Sequence, residues 1–299
     1  MIKRTLYFTR PAYLFLKNSQ LVASFKDANE EIQAPLQDLG FVVLDNAQIT
    51  ITGALLGALA TENVAVISCD ETHHPIALSL TMDGHQVQQE RYRYQLDSSL
   101  PLKKRLWQQT ISSKLVNQGN LLAKLGEHPD PLLKWAKEVS SGDTSNLEAR
   151  GSRYYWPRVF ALHFTDFKRD RFGFPPNNAL NYGYAIIRAA CARALVGSGL
   201  LPALGIHHRN RYNAYCLADD IMEPYRPFVD KAVVELLANG ETFDELSKPI
   251  KARLLQVLTD DVYFKDYTSP LMLGLSETAV SLYKVYAKET DRIVYPVLQ

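Results

Sequence analysis

The feature that most restricts the fold of this chain is a change in hydrophobic period about a third of the way along it. Up to about residue 90, apolar residues come in short runs. Residues 5–9, 13–16 and 20–25 are rich in β-branched and aromatic side chains, with turn signals at Lys17-Asn18-Ser19 and Asp27-Ala28-Asn29 between or after them. Residues 40–44 and 64–68 are continuous apolar runs, the pattern of buried strands, and 75–80 is a further strand. Thr50 is the expected N-cap of one short helix running to Ala60. After Tyr94 the spacing turns helical. Asp97-Ser98-Ser99 ahead of Leu100-Pro101 is a helix-opening combination. Stretches with helical period follow over 102–125, 130–139, 147–164, 179–196, 217–239, 247–258 and 276–287. The expectation is an α+β protein, with a small β-rich N-terminal domain over residues 1–90 and a larger all-α domain over 91–299.

Charge adds a second constraint. Lys and Arg number 33 against 32 Asp and Glu, a formal charge of +1, which makes no global case for nucleic-acid binding. The distribution is uneven. Residues 91–124 hold seven basic side chains and one acid, and 150–193 hold eight and two, interleaved with Tyr154, Tyr155, Trp156, Phe160 and Phe172. Solvated helix faces account for either run alone; two such runs in one helical domain make nucleic-acid binding a competing reading. Three widely spaced cysteines, Cys69, Cys191 and Cys216, form neither a CxxC pair nor a disulfide framework, which suits a reducing compartment. The first residues carry no signal-peptide apolar core, and the apolar stretch 194–206 is too short and too broken by Gly, Ser and Pro to span a bilayer. A cytoplasmic protein with no membrane association is expected.

The densest polar cluster is Gly205-Ile206-His207-His208-Arg209-Asn210, followed by Leu217-Ala218-Asp219-Asp220-Ile221-Met222-Glu223-Pro224-Tyr225-Arg226-Pro227. On a helix, Asp220 and Glu223 share a face, and Asp219 and Glu223 can do so too, so spacing leaves Asp219 open. Carboxylates facing one point repel unless a cation or a proton lies between them, and a nearby histidine adds a neutral nitrogen ligand. Such a donor set suits Mg²⁺ or Mn²⁺, and also zinc, although the spacing is not that of a HExxH zinc protease. Acids at a helix start that complement its dipole explain the same residues without chemistry. No phosphate-binding P-loop is present.

Read together with Leu147-Glu148-Ala149-Arg150-Gly151-Ser152-Arg153-Tyr154-Tyr155-Trp156 and Asn178-Ala179-Leu180-Asn181-Tyr182-Gly183-Tyr184, that cluster resembles the motifs of the CRISPR-associated spacer-acquisition integrase, the universal Cas endonuclease subunit of adaptation. The resemblance runs through nearly the whole chain, and the wording of the third motif is most like type II systems. Where the family usually has Gly after the motif Glu and two alanines shortly after, this chain has Ala149, Gly151 and Ser152, small residues for small ones. The resemblance implies a catalytic helical domain in which Glu148, His208 and Glu223 bind one Mg²⁺ or Mn²⁺. Asp220 is then a fourth ligand or a partner behind the ligands, and His207 packs or supports. Tyr155, Asn181 and Arg226 are implied to stand behind the ligands or to face DNA. The implied reaction joins the 3′-hydroxyl ends of captured DNA fragments, the spacers, into the repeats of a CRISPR array by transesterification. The implied partners are double-stranded DNA, a second copy of the chain through the N-terminal domain, a small ferredoxin-fold second Cas adaptation protein, and other type II CRISPR proteins. Two alternatives share parts of this reading: a metal-dependent nuclease that hydrolyses without joining, and a non-catalytic helical DNA-binding scaffold.

Overall fold

The computed structural model describes residues 3–25 and 30–299; the turn expected at Asp27-Ala28-Asn29 lies outside them. The chain forms two compact units, Met1–Gln86 and Val87–Gln299. The first contains β1 (Arg4–Phe8), β2 (Tyr13–Lys17), β3 (Gln20–Phe25), β4 (Glu30–Pro35), β5 (Leu39–Leu44), β6 (Thr50–Ile51), α1 (Gly53–Thr61), β7 (Ala65–Cys69) and β8 (Pro75–Ser79). One sheet has the order β1-β5-β7-β8, parallel except for β8; the other has the order β4-β3-β2-β6, with β6 parallel to β2. Phe41, Val42 and Val43 of β5 have no solvent exposure, as their continuous apolar run demands. Leu14, Leu21, Ala34, Leu39, Leu55 and Leu59 join strands of both sheets and α1 in one core.

Two local readings change here. Thr50 does not cap α1: Thr50–Ile51 pairs with Tyr13 and Leu14 as β6, and Thr52 caps instead, its Oγ accepting the Leu55 N–H at 3.3 Å. The β-branched run Ile49-Thr50-Ile51-Thr52 supplies strand and cap in succession. β4 was not expected at all. It lies at the edge of its sheet and buries only Ala34, so it shows no apolar alternation.

The second unit contains α2 (Gln88–Leu96), α3 (Leu100–Lys124), α4 (Asp130–Glu138), α5 (Leu147–Val159), α6 (Asn177–Gly197), α7 (Cys216–Ile221), α8 (Arg226–Ala238), α9 (Lys248–Gln256) and α10 (Leu271–Tyr286). The expected fold class holds, with a strand-rich N-terminal region and a mostly helical remainder. The structure adds a short antiparallel hairpin to that remainder, β9 (Asp261–Tyr263) with β10 (Thr268–Pro270). Among the described residues no helix is long and apolar enough to cross a membrane.

α3 is the element against which the site is built. Ser99 Oγ accepts the Leu102 N–H at 3.4 Å and Pro101 occupies the first turn, so the helix opens where the sequence says it should. Its buried stripe runs Leu106, Trp107, Thr110, Ile111, Lys114, Leu115, Gln118, Leu121 and Leu122, and packs on α4, α5 and the turn after α7. The expected helix 217–239 is in fact α7, a 3-10 turn over Glu223–Tyr225, and α8. Pro224 and Pro227 explain the break, since each removes an N–H that a continuous helix requires. The expected helix 147–164 stops at Val159, two residues beyond Pro157, and the chain leaves it in a loop that ends at α6.

Candidate active site

Glu148 lies in the first turn of α5, and the start of that turn is tightly held. Asn146, at the helix start, has φ 53° and makes no side-chain cap. Buried Asp143 caps instead: its Oδ1 accepts the Leu147 N–H at 2.8 Å and its Oδ2 the Glu148 N–H at 3.0 Å. Close packing does the rest. A Cβ on Gly151 would sit 2.3 Å from Leu115 Cδ2 on α3, so only glycine lets the two helices approach this far.

Glu223 begins the 3-10 turn and its side chain is buried. Asn117, on α3 and fully buried, donates to the Pro224 carbonyl at 2.7 Å, tying that turn to the same helix. Three residues earlier on α3 stands Lys114. Its Nζ lies 2.6 Å from Glu148 Oε1 and 2.7 Å from Glu223 Oε2, with the lysine side chain 7% exposed. Two carboxylates from separate elements thus converge on one buried ammonium. Burial opposes the lysine charge, but the Glu223 and Glu148 carboxylates outweigh it and raise its pKa. Burial likewise opposes the Glu223 charge, and Arg226 and Lys114 hold its pKa low. Arg226 Nη2 meets the other carboxylate oxygen, Oε1, at 3.0 Å.

His208 is placed by Asp220. This fully buried carboxylate accepts the N–H of Ile206 at 2.6 Å and of His207 at 2.9 Å on Oδ2, and the N–H of His208 at 3.2 Å on Oδ1. His208 Nδ1 lies 2.6 Å from Oδ1, a carboxylate oxygen that can only accept, so Nδ1 carries the proton and, in the neutral ring, Nε2 carries the lone pair. That bond raises the His208 pKa against the effect of burial. Gly205 permits the tight turn: a Cβ there would lie 2.3 Å from the His208 carbonyl oxygen and 2.9 Å from Asp220 Oδ2. From α3, Trp107 stacks on His207 with ring centroids 4.1 Å apart and planes 4° apart, and meets the His208 ring near-perpendicular at 5.8 Å. Burial lowers the His207 pKa, in keeping with a neutral stacked ring. Asp219 turns elsewhere, to Arg188 Nε at 2.9 Å and Asn213 at 2.6 Å, which resolves the choice that spacing left open.

The sites named from sequence therefore divide. Glu148 and Glu223 converge on one point. His208 is oriented with one ring nitrogen free. Asp220 has both oxygens committed to the histidine loop. Among the described residues, no three His, Cys, Asp or Glu side chains form a ready ligand group. The cation at the focus is the Lys114 ammonium. Donor chemistry nevertheless fits a hard divalent cation: two carboxylates already turned to one positive charge, and an imidazole with a free nitrogen. Arg226 supports Glu223 and lies with its guanidinium 4.9 Å from the Tyr184 ring centroid. Tyr184 and Tyr155 both donate to buried Asp230, Tyr155 to Oδ2 at 2.7 Å, and Tyr155, fully buried, cannot face DNA. Asn181 accepts from Arg169 Nη2 at 2.6 Å and donates to the Arg171 carbonyl at 2.7 Å, anchoring a loop whose Phe172 and Phe174 are each 91% exposed. Beside His208 opens a cleft of about 440 Å³ whose walls include Lys103, Arg209 and Arg211.

Sequence reasoning missed Lys114, Trp107, Asp143 and Asp230. Lys114 was legible in principle, as a charged residue in the apolar register of α3 that has to find partners. Its place in a basic run hides it; Arg193, in the other run, is also buried, so neither belongs to an exposed basic surface.

A family model described as CRISPR associated protein Cas1 matches residues 6–257. The CRISPR-associated endonuclease Cas1 of Neisseria meningitidis is 36% identical over 260 residues, covering 86% of this chain and 84% of that protein. Among solved structures, a casposase bound to integration product superposes with a TM-score of 0.77 at 18% identity, over 98% of this chain and 92% of the other. A Cas6-RT-Cas1–Cas2 complex gives 0.74 at 21% identity, over 98% of this chain and 36% of that one. At these identities the two structures speak for the fold.

Proposed function

The chain belongs to the CRISPR-associated Cas1 family, and from that premise we propose that it is a metal-dependent DNA integrase of CRISPR adaptation, joining 3′-hydroxyl ends of captured DNA fragments into the repeat array by transesterification. The observation that carries the reading is the convergence of Glu148 and Glu223 on a single buried positive charge; His208, held by Asp220, lies within electrostatic reach of Glu223. Glu148, His208 and Glu223 would hold one Mg²⁺ or Mn²⁺. Such a cation, when bound, supplies Lewis-acid stabilisation of the charge that builds on a phosphodiester during in-line displacement.

The chain's own residues supply the rest. Asp220 keeps the His208 proton on Nδ1 and so keeps Nε2 available. Arg226 holds one oxygen of Glu223 and leaves the other turned to the focus. Lys103, Arg209 and Arg211 line the cleft next to His208 and suit the phosphates of an entering strand. Lys168, Arg171, Phe172 and Phe174, exposed on the loop anchored by Asn181, offer charge and flat aromatic surface to DNA. Double-stranded DNA is the substrate on this reading, in the form of both the captured fragment and the repeat, and the working compartment is the cytoplasm. The N-terminal strand-rich unit serves dimerisation, and a small ferredoxin-fold Cas protein bridges two such dimers. Cas2 accompanies Cas1 in one of the structural neighbours, the Cas6-RT-Cas1–Cas2 complex, which supports the small Cas partner. The type II wording of the third motif supports partners from those systems.

A hydrolytic nuclease would use the same groups. The two part in one assay: the full-length protein, with its small Cas partner, is given a labelled fragment bearing 3′-hydroxyls and a repeat-containing plasmid, in Mn²⁺ and then in EDTA. Integrase action yields label covalently joined to the plasmid in Mn²⁺ only. Nicked plasmid without joined label would assign hydrolysis instead.

A further inference from the structure

The groups assigned to metal binding already hold a cation of their own, and that arrangement has consequences. Lys114 Nζ contacts Glu148 Oε1 and Glu223 Oε2 together, at 2.6 and 2.7 Å. The lysine emerges from the buried stripe of α3 between Ile111 and Leu115, both with no exposure, so its ammonium has little freedom to seek water. Glu223 has a second cation at its other oxygen, Arg226, whereas among the described residues Glu148 is held by its helix turn and by Lys114. Without Lys114, two carboxylates from separate elements would repel across the gap.

We propose that Lys114 is a positioning residue that acts as the resident cation of the site. Its ammonium holds Glu148 and Glu223 facing one point while no metal is bound, and an arriving divalent cation displaces it from at least one of them. The inference rests on the metal reading of Glu148 and Glu223 and deepens it. Lys114 makes the empty site stable and pre-assembled, and it makes the loaded site weaker than its carboxylates alone would allow. With Lys114 and Arg226 present, the two carboxylates are already neutralised, so a divalent ion enters against a nearby positive charge.

The sign of the effect separates this role from a merely structural one. A structural lysine, once removed, loosens the site and weakens metal binding. A resident cation, once removed, leaves the empty protein less stable and the metal bound more tightly. The test is Mn²⁺ binding to the full chain by calorimetry, together with thermal unfolding in EDTA and in saturating Mn²⁺, for wild type, K114M, K114Q and K114R, with E148Q as the control that locates the ion. We expect K114M and K114Q to melt several degrees lower than wild type in EDTA, to recover most of that loss in Mn²⁺, and to bind Mn²⁺ at least about fivefold more tightly, about 1 kcal/mol. K114R, which keeps the charge, stays within about twofold of the wild-type affinity. Equal or weaker Mn²⁺ binding in both neutral variants, with wild type binding normally, overturns the role of Lys114 and leaves the metal reading standing. Failure of wild type to bind Mn²⁺, or binding unaffected by E148Q, overturns the metal reading and this inference with it. K114Q retains a polar head and covers the case in which K114M does not fold without metal.

Discussion

Single side chains set the chemistry through what they touch. Alanine at Glu148, His208 or Glu223 is expected to abolish strand transfer and leave the far-ultraviolet spectrum unchanged; wild-type joining in any of the three would remove that residue from the site. Asp220 acts differently. Asp220→Ala takes the acceptor from three backbone N–H groups and from His208 Nδ1, at a cost of about 1–3 kcal/mol for the buried Ile206 group alone, so it should lower the unfolding midpoint as well as activity. Asp230 carries a pH signature. Burial, outweighing the hydrogen bonds from Tyr184 and Tyr155, pushes its pKa up from 3.8 to about 6. The folded protein therefore binds more protons at this group than the unfolded chain does between those values. Its contribution to stability is complete below pH 4 and lost as pH rises to about 6. In Asp230→Asn that fall should be missing from a series of denaturant midpoints taken from pH 4 to pH 6.5; an unchanged profile would show that Asp230 titrates normally.

At the scale of elements, α3 organises the site. Trp107 stacks on the histidine loop, Lys114 meets both glutamates and Asn117 holds the Glu223 turn, so one helix meets three separate segments. The contact with α5 is the most sensitive. Ala is the better helix former by about 0.8–1 kcal/mol, yet Gly151→Ala drives a methyl into Leu115. Urea unfolding should report net destabilisation together with reduced strand transfer; a stabilised, fully active variant would mean that α5 does not need this approach. The helices were legible because Ser99-Leu100-Pro101, Ser247 and the 3.6-residue period act locally. The break at Glu223 is written in the sequence too, in Pro224 and Pro227, which override the period. β4 and the β9–β10 hairpin were not, because an edge strand that buries one alanine and two three-residue strands carry no alternation to detect. Within the site, Glu148, His208 and Glu223 stood out through motif resemblance, while Lys114 and Asp143 act only through folding that brings distant segments together.

For the molecule as a whole, the formal charge of +1 hides an uneven surface. Lys114 and Arg193 are buried and Arg188 is paired with Asp219, which subtracts from the basic runs. Arg93, Lys104, Arg105, Lys124, Arg150, Arg153, Lys168 and Arg171 remain exposed. DNA affinity should therefore fall steeply with salt despite the near-neutral balance, each neutralised phosphate adding about 0.9 to the slope of log K against log salt for duplex DNA. A flat dependence would deny the basic surface its role. In light scattering at micromolar concentration the protein should run as a dimer, and monomers alone would remove the proposed work of the N-terminal unit. The claim on which the rest depends is that Glu148, Glu223 and His208 enclose a divalent-cation site now focused on Lys114. Anomalous scattering from crystals grown in Mn²⁺ tests it most directly. One strong peak is expected within coordination distance of both glutamates and of His208 Nε2, with the Lys114 ammonium moved off at least one carboxylate. Mn²⁺ bound elsewhere, with Lys114 still seated between the two glutamates, would contradict it.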